Sequence, residues 1–354
     1  MYKKIENCRL CGSEELTDIV NLGEQYLTGV FPRDRAAELT KGPLALGFCT
    51  ECHLVQLLHS YDLTELYGDN YGYRSGLNQS MVEHLKSKVD AIKHIAAIQD
   101  DDVILDIGSN DGTLLSFYPE KRNRLIGFDP SAEKFKRYYR DDIELFTEFF
   151  SAERFQEGLG SETRAKIITS IAMFYDLEAP LDFMRQIESI LAEDGIWHFE
   201  QSYMPFMLKT NAYDTICHEH FEYYALEQIK WMTDRSGLKI IQVEFNQING
   251  GSFAVTVAKQ NSDYAEDNDL IRSILNDEKE MLLHTMTPYA SFKERIFQHR
   301  EKLLETIQII HNEGKLILGY GASTKGNVVL QFCGIDERLI PCIAEVNEDK
   351  FNCV

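Results

Sequence analysis

Val103-Ile104-Leu105-Asp106-Ile107-Gly108-Ser109-Asn110-Asp111-Gly112-Thr113-Leu114-Leu115 reads as a buried strand that ends in an acidic, glycine-rich turn and opens into a helix. In a parallel sheet, such a turn lies at the carboxyl end of its strand, where ligands bind. Gly108 and Gly112 let the chain turn sharply and let a ligand approach the backbone. Asp106 and Asp111 repel phosphate, so the turn suits a cationic or hydroxyl-bearing ligand better than a polyphosphate. A second apolar strand follows at Leu125-Ile126-Gly127-Phe128 and is closed by Asp129. An acid about 20 residues beyond a glycine turn is placed to accept hydrogen bonds from ribose hydroxyls.

S-adenosylmethionine meets both demands, since it carries a sulfonium, an ammonium and a ribose. A nicotinamide dinucleotide shares the ribose acid. Its G-x-G-x-x-G fingerprint, however, is not supplied by Gly108-Ser109-Asn110-Asp111-Gly112. An ordinary α/β turn with no ligand is the bland alternative.

Outward from this turn, strand and helix alternate from 101 to about 260, as a parallel sheet demands. The expected strands are 102–107, 124–128, 143–146, 166–170, 195–200, 238–245 and 252–258. Before them, Met81, Leu85, Val89, Ile92 and Ile95 recur on one face of a helix. The Tyr/Gly-rich stretch from Tyr67 to Ser75, with Tyr71 and Tyr73, fits an active-site lid or a packed loop equally well. From 261 to 315 the pattern is polar and periodic, with Leu270, Ile274, Leu275, Phe297, Leu303, Leu304, Ile307 and Ile310 on amphipathic helices.

The 354 residues are enough for two or three domains, and 44% are hydrophobic, ordinary for a globular protein. The net charge of -21 disfavours nucleic acid, whose phosphates need a basic surface. There is no apolar run of membrane-spanning length, and Met1 to Asn7 does not read as a signal peptide, so the expected location is cytoplasmic with no membrane partner. The oligomeric state is left open.

Cys8-Arg9-Leu10-Cys11 and Cys49-Thr50-Glu51-Cys52 are two C-x-x-C knuckles. Four thiolates in this form present a tetrahedral site to Zn2+ and leave no position for a reacting group, so the expected zinc is structural. Four buried free thiols are the alternative. His53 is not expected to be a ligand.

Cys217-His218-Glu219-His220 is the densest acid/base cluster of the chain. It is not the H-E-x-x-H of zinc proteases, because its histidines are two apart. One imidazole oriented by Glu219 suits a general base; a hydrogen-bonded structural cluster is the other reading. Asn249-Gly250-Gly251-Ser252 is a tight turn, either an anion-holding loop or a plain hairpin. Leu316 to Tyr320 reads as a buried strand entering the turn Gly321-Ala322-Ser323-Thr324-Lys325-Gly326-Asn327 and then a helix. A lysine at a helix N-terminus is a phosphate site.

The order of these parts resembles the sugar C-methyltransferases that act on nucleotide-linked 4-keto-deoxysugars. The resemblance covers nearly the whole chain: both cysteine pairs, Tyr71-x-Tyr73-x-Ser75, the turn Asp106 to Gly112, His218-Glu219-His220, Gly250-Gly251-Ser252, and Gly319-Tyr320-Gly321-Ala322-x-x-Lys325-Gly326-Asn327. It implies an α/β chain: a class I methyltransferase Rossmann-like parallel sheet, a small N-terminal zinc-binding domain and a second Rossmann-like domain at the C-terminus. The implied boundaries are 1–62, 63–260 and 261–354, the last looking cut short.

The resemblance also implies roles. His220 matches the base that makes an enolate, with Glu219, His218 and Tyr175 as its catalytic neighbours. Asp106, Gly108, Ser109, Asn110, Asp111, Asp129, Tyr71 and Tyr73 would hold S-adenosylmethionine. Ser252, Lys325, Asn327 and Tyr224 would hold the nucleotide sugar, between the two larger domains. Three positions depart from the family. Cys217 stands where it often has Tyr, Phe174-Tyr175 where it has a second histidine, and Asn249 where it has His. Methylation of a sugar oxygen is the alternative activity. A nicotinamide-dependent oxidoreductase and a non-catalytic zinc scaffold are more distant ones.

Overall fold

The computed structural model describes residues 2–34, 36–67 and 71–353. Gly68, Asp69 and Asn70 of the Tyr/Gly-rich stretch lie outside the described residues. The chain forms two compact units. The first gathers 1–72, 204–223 and 278–354; the second gathers 73–203 and 224–277.

The second unit is built on a seven-stranded sheet. Its strands are β1 (Val103–Ile107), β2 (Arg124–Phe128), β3 (Ile143–Phe146), β4 (Ala165–Ile171), β5 (Leu191–Ser202), β6 (Leu238–Asn246) and β7 (Ser252–Lys259). They lie in the order β6-β7-β5-β4-β1-β2-β3. β1 to β5 pair in parallel, and β7 runs antiparallel to both β5 and β6. The order reverses at β1 and β4, so the Gly108 turn stands at the sheet's switch point, where a crevice opens.

Helix α1 (Gln79–Ile95) starts at Asn78, whose side chain accepts the Ser80 amide hydrogen, an N-cap. Met81, Leu85, Val89 and Ile92 of α1 are buried against Ile104, Leu125, Ile143, Ile167 and Ile196 of the sheet. Burial of such residues supplies most of the unit's stability, and Leu85→Ala would cost about 2–5 kcal/mol.

The same interface holds a charged group. Glu200 of β5 is buried, with His84 Nε2 at 2.6 Å and Lys88 Nζ at 3.1 Å, both from α1. Asn246 Nδ2 donates to it at 2.8 Å, and Lys88 also reaches Glu244 at 3.1 Å. Burial alone would raise Glu200, but the His84 bond and the Lys88 charge hold it below the ordinary glutamate range.

The first unit contains a four-stranded antiparallel sheet in the order Glu222–Tyr223, Val55–Leu57, Lys41–Cys49 and Leu16–Tyr26. The expected amphipathic helices are Asn268–Glu280 and Thr287–Asn312. On the latter, Phe292, Ile296 and Ile307 are buried and Phe297 is exposed. At the C-terminus, Gly319–Tyr320 and Ile343–Ala344 pair in parallel, joined through the helix Thr324–Cys333.

This βαβ unit differs from the buried strand expected at Leu316 to Tyr320. Strand geometry begins only at Gly319, and Leu316 and Leu318 are 71% and 56% exposed. A two-stranded sheet is too small to bury both faces of an apolar run. Residues 204–223, which fall inside the 63–260 stretch, belong with the first unit.

Candidate functional site

The expected donor site is the turn after β1, in the second unit. Gly108 and Gly112 take φ values of 78° and 75°, and Asn110 takes 51°. A Cβ at Gly108 would stand 3.1 Å from the Met173 side chain, so the turn is as tight as glycine allows. Asp106 is buried and accepts from Thr169 Oγ1 at 2.6 Å. Burial raises its pKa to about 7, against the Thr169 bond and with help from the Asp129 charge. Asp129 accepts the Asn110 amide at 2.8 Å, the Ser131 amide at 2.7 Å and the Ser131 hydroxyl at 2.6 Å. Burial raises it too, with those bonds opposing. Two buried carboxylates that resist ionising are stabilised by a nearby cation. The sulfonium and ammonium of S-adenosylmethionine fit that demand, and phosphate does not.

Asn110 and Asp111 are engaged with the segment 73–76. Asn110 Oδ1 accepts the Ser75 amide at 2.8 Å and its Nδ2 donates to the Tyr73 carbonyl at 3.3 Å. Asp111 accepts the Gly76 amide at 2.9 Å and the Thr113 hydroxyl at 2.6 Å. Ser109 Oγ lies 2.8 Å from Tyr139 Oη. These side chains thus shape the turn. Tyr73 is 46% exposed in this unit. Tyr71 belongs to the first unit, where it bridges Val30 and tilts against Tyr67.

Also in the second unit, Tyr175 follows Phe174, and Tyr224 stacks on Phe174 with ring centroids 5.5 Å apart. Ser252 donates to the Ile248 carbonyl at 2.9 Å, closing its own turn.

The acid/base cluster lies in the first unit. His218 and His220 are held as opposite tautomers. The Thr28 amide donates to His218 Nδ1 at 3.3 Å, so that nitrogen accepts and Nε2 carries the hydrogen. His218 is fully buried, with its ring edge against Tyr61 at 4.6 Å, and burial pulls it down to about 4. His220 Nδ1 lies 3.0 Å from the Thr215 carbonyl. A carbonyl only accepts, so Nδ1 carries the hydrogen and Nε2 is the basic nitrogen. Burial and the Lys325 charge lower His220 to about 3, so the imidazole is neutral at physiological pH.

Glu219 is buried beside Gly29, where a methyl group would overlap its carboxylate, and Thr28 Oγ1 donates to it at 3.4 Å. Burial pushes its pKa up. Ser323 caps the helix that begins at Thr324 by accepting the Gly326 amide. Lys325 is in that helix's first turn, and Asn327 Nδ2 donates to the Thr28 carbonyl at 2.8 Å. Cys217 is buried. The expected substrate residues therefore divide between the units: Lys325 and Asn327 in one, Ser252 and Tyr224 in the other.

The metal centre is closed. The sulfurs of Cys8, Cys11, Cys49 and Cys52 all lie within 4.8 Å of one another. The two knuckles repeat one turn. The Gly12 amide donates to the Cys8 carbonyl and the His53 amide to the Cys49 carbonyl, each at 2.9 Å. Gly12 and His53 both take positive φ. The Cys52 thiol lowers Cys8 to about 5, while burial raises Cys11 to about 11. So crowded a set ionises together only around a cation, and four soft sulfurs select zinc. His53 stacks on Phe48 and is outside the cluster.

Three family models divide the sequence between them: a zinc binding domain over 8–67, a methyltransferase domain over 81–243 and a C-methyltransferase C-terminal domain over 247–354. The chain is similar along most of its length to C-methyltransferases. It is an S-adenosylmethionine-dependent enzyme with a structural zinc. Over 342 residues it is 28% identical to C-methyltransferase NovU of Streptomyces niveus, covering 96% of this chain and 81% of that protein.

Among solved structures, it is similar to an O-methyltransferase family protein of Burkholderia thailandensis, with 14% identity and a TM-score of 0.42 over 57% of this chain and 64% of the other. A second is the 1,6-didemethyltoxoflavin-N1-methyltransferase of the same organism, at 10% identity and a TM-score of 0.39 over 52% and 81%. Among the described residues, no helix of this methyltransferase is long and apolar enough to cross a membrane.

Thr169, Thr215, Thr28 and Gly29 escaped sequence reading. Each acts through a contact that spans distant parts of the chain or a backbone carbonyl, and no local motif announces either.

Proposed function

We propose that this methyltransferase moves a methyl group to the carbon beside the ketone of a nucleotide-linked 4-keto sugar, through an enolate. The likeness to a C-methyltransferase supports methylation at carbon. The observation that carries the reading is the tautomer of His220. Its Nδ1 hydrogen is committed to Thr215, which leaves Nε2 to take a proton.

When bound, S-adenosylmethionine supplies an electrophilic methyl group on a positively charged sulfur. Asp106 and Asp129 hold that charge and the ribose. His220 Nε2 removes the proton that the ketone acidifies, and the Thr215 carbonyl steadies the imidazolium that forms. Glu219, pressed against Gly29, keeps its side of the motif in place. Lys325 takes the diphosphate, and Tyr175, Tyr224, Ser252 and Asn327 complete the substrate contacts.

The test is an incubation with S-adenosylmethionine and nucleoside diphospho-4-keto-6-deoxy sugars, followed by NMR of the product. A new methyl on the carbon next to the ketone, with deuterium exchange there in heavy water, is expected. A methyl on oxygen would replace this reading with the alternative.

A further inference from the structure

Gln201 is the polar side chain that the architecture leaves unexplained. It is 1% exposed, and neither its Oε1 nor its Nε2 has a hydrogen-bond partner among the described residues. A buried carboxamide in that condition costs stability, and such groups persist where a ligand completes them.

Its place in the sheet says which ligand. β5 runs in regular register with β7 from Ile196 to Ser202, so side chains alternate strictly. Glu200 points to the face covered by α1, where His84 and Lys88 meet it. Gln201 therefore points to the opposite face, after Trp197 and Phe199, both of which pack on Phe174. Gln201 also stands at the carboxyl end of β5. The Ala172 amide donates to the neighbouring Glu200 carbonyl at 2.7 Å, and Met173 packs against Gly108. The Gly108 turn and Gln201 are thus joined along one sheet edge by the short Ala172–Met173 turn. Asp106 and Asp129, at the ends of β1 and β2, serve the donor. The end of β5, on the other side of β4, is left for the acceptor.

We propose that Gln201 is a substrate-positioning residue: its Nε2 donates to the acceptor's carbonyl oxygen and its Oε1 accepts from a hydroxyl of the same molecule. This rests on the reading of the acceptor as a keto sugar. A carboxamide suits it because it offers a donor and an acceptor side by side.

The experiment compares wild type with Gln201→Leu in the full chain, using a nucleoside diphospho-4-keto-6-deoxy sugar that wild type turns over. Three readouts are taken: melting temperature, calorimetric affinity for S-adenosylmethionine, and the separate kcat and KM for the sugar. The expected variant melts no lower than wild type, since it buries no unpaired amide. It binds the methyl donor as before and loses about 10- to 100-fold in kcat/KM for the sugar. Unchanged kcat/KM overturns the inference, and so does a lower melting temperature with kcat/KM intact. A loss confined to donor affinity overturns it as well. Wild type that turns over no keto sugar sinks the acceptor reading and this inference together, whereas active wild type with an equally active variant sinks this inference alone.

Discussion

The Thr169 hydroxyl donates to the buried Asp106 carboxylate at 2.6 Å, at the point where β4 and β1 run side by side. This bond is the main force opposing the upward shift that burial imposes on Asp106, which titrates at about 7. A cationic ligand favours the ionised carboxylate, so binding at neutral pH should expel a proton. Affinity for S-adenosylmethionine should rise as pH increases through 7, with about half a proton released at pH 7. Calorimetry in buffers of different ionisation enthalpy measures this. Thr169→Val should push Asp106 higher still and weaken binding at neutral pH roughly fivefold.

His220→Ala should lower turnover by about 10²- to 10⁴-fold with donor affinity kept. Neutral imidazole is the active form. The acid limb of the kcat/KM profile should therefore fall well below the usual histidine range, toward the value near 3 set by burial and Lys325. Lys325→Ala removes a repelling cation and should move that limb upward. A limb that stays put in Lys325→Ala would separate the two side chains electrostatically.

Metal analysis should find about one zinc per chain. Cys8→Ser should lose it and lower the melting temperature, because a structural zinc site contributes its binding energy to folding. A strong chelator should act in the same way on the wild type.

The Glu200 cluster should appear in acid denaturation. Its folded pKa is held below the ordinary glutamate value of about 4.3, so its contribution is complete above that value and is lost as pH falls through the folded pKa. Lys88→Met, which removes a buried cation, should cost about 3–5 kcal/mol at neutral pH by leaving Glu200 underpaired. Equilibrium urea unfolding across pH 3–7 reads both effects.

Gly29→Ala should displace Glu219, since a methyl group there would overlap its carboxylate. Turnover should drop by about tenfold or more. Zinc content and donor affinity, read as above, should not change.

The seven-stranded sheet is legible because its strands are runs rich in apolar residues, and β1 and β2 are closed at once by Gly108 and Asp129, signals contained in a few residues. The apolar pattern predicts β5 over 195–200, and the strand extends over Leu191–Ser202, since pairing with β4 and β7 carries it through residues that lack a strand pattern. Leu316 to Leu318 misled for the opposite reason. Their apolar run needs a facing layer to bury it, and the two-stranded sheet beside them provides none.

Of the candidate site, residue type and order single out Asp106 and Asp129, and mark His218-Glu219-His220 as an acid/base cluster. The commitment of Asn110 and Asp111 to residues 73–76, and the opposite tautomers of His218 and His220, arise from partners far along the chain.

The polypeptide leaves the sheet after Tyr203, contributes residues 204–223 elsewhere, returns, and leaves again at 278. One result concerns synthesis. The N-terminal body, with its cysteine knuckles, cannot be completed when its own residues leave the ribosome, because it must wait for 278–354. The sheet body can close some 80 residues earlier, so biogenesis should run in reverse of the gene order, and a messenger stopped after codon 277 should yield a sheet without a finished partner.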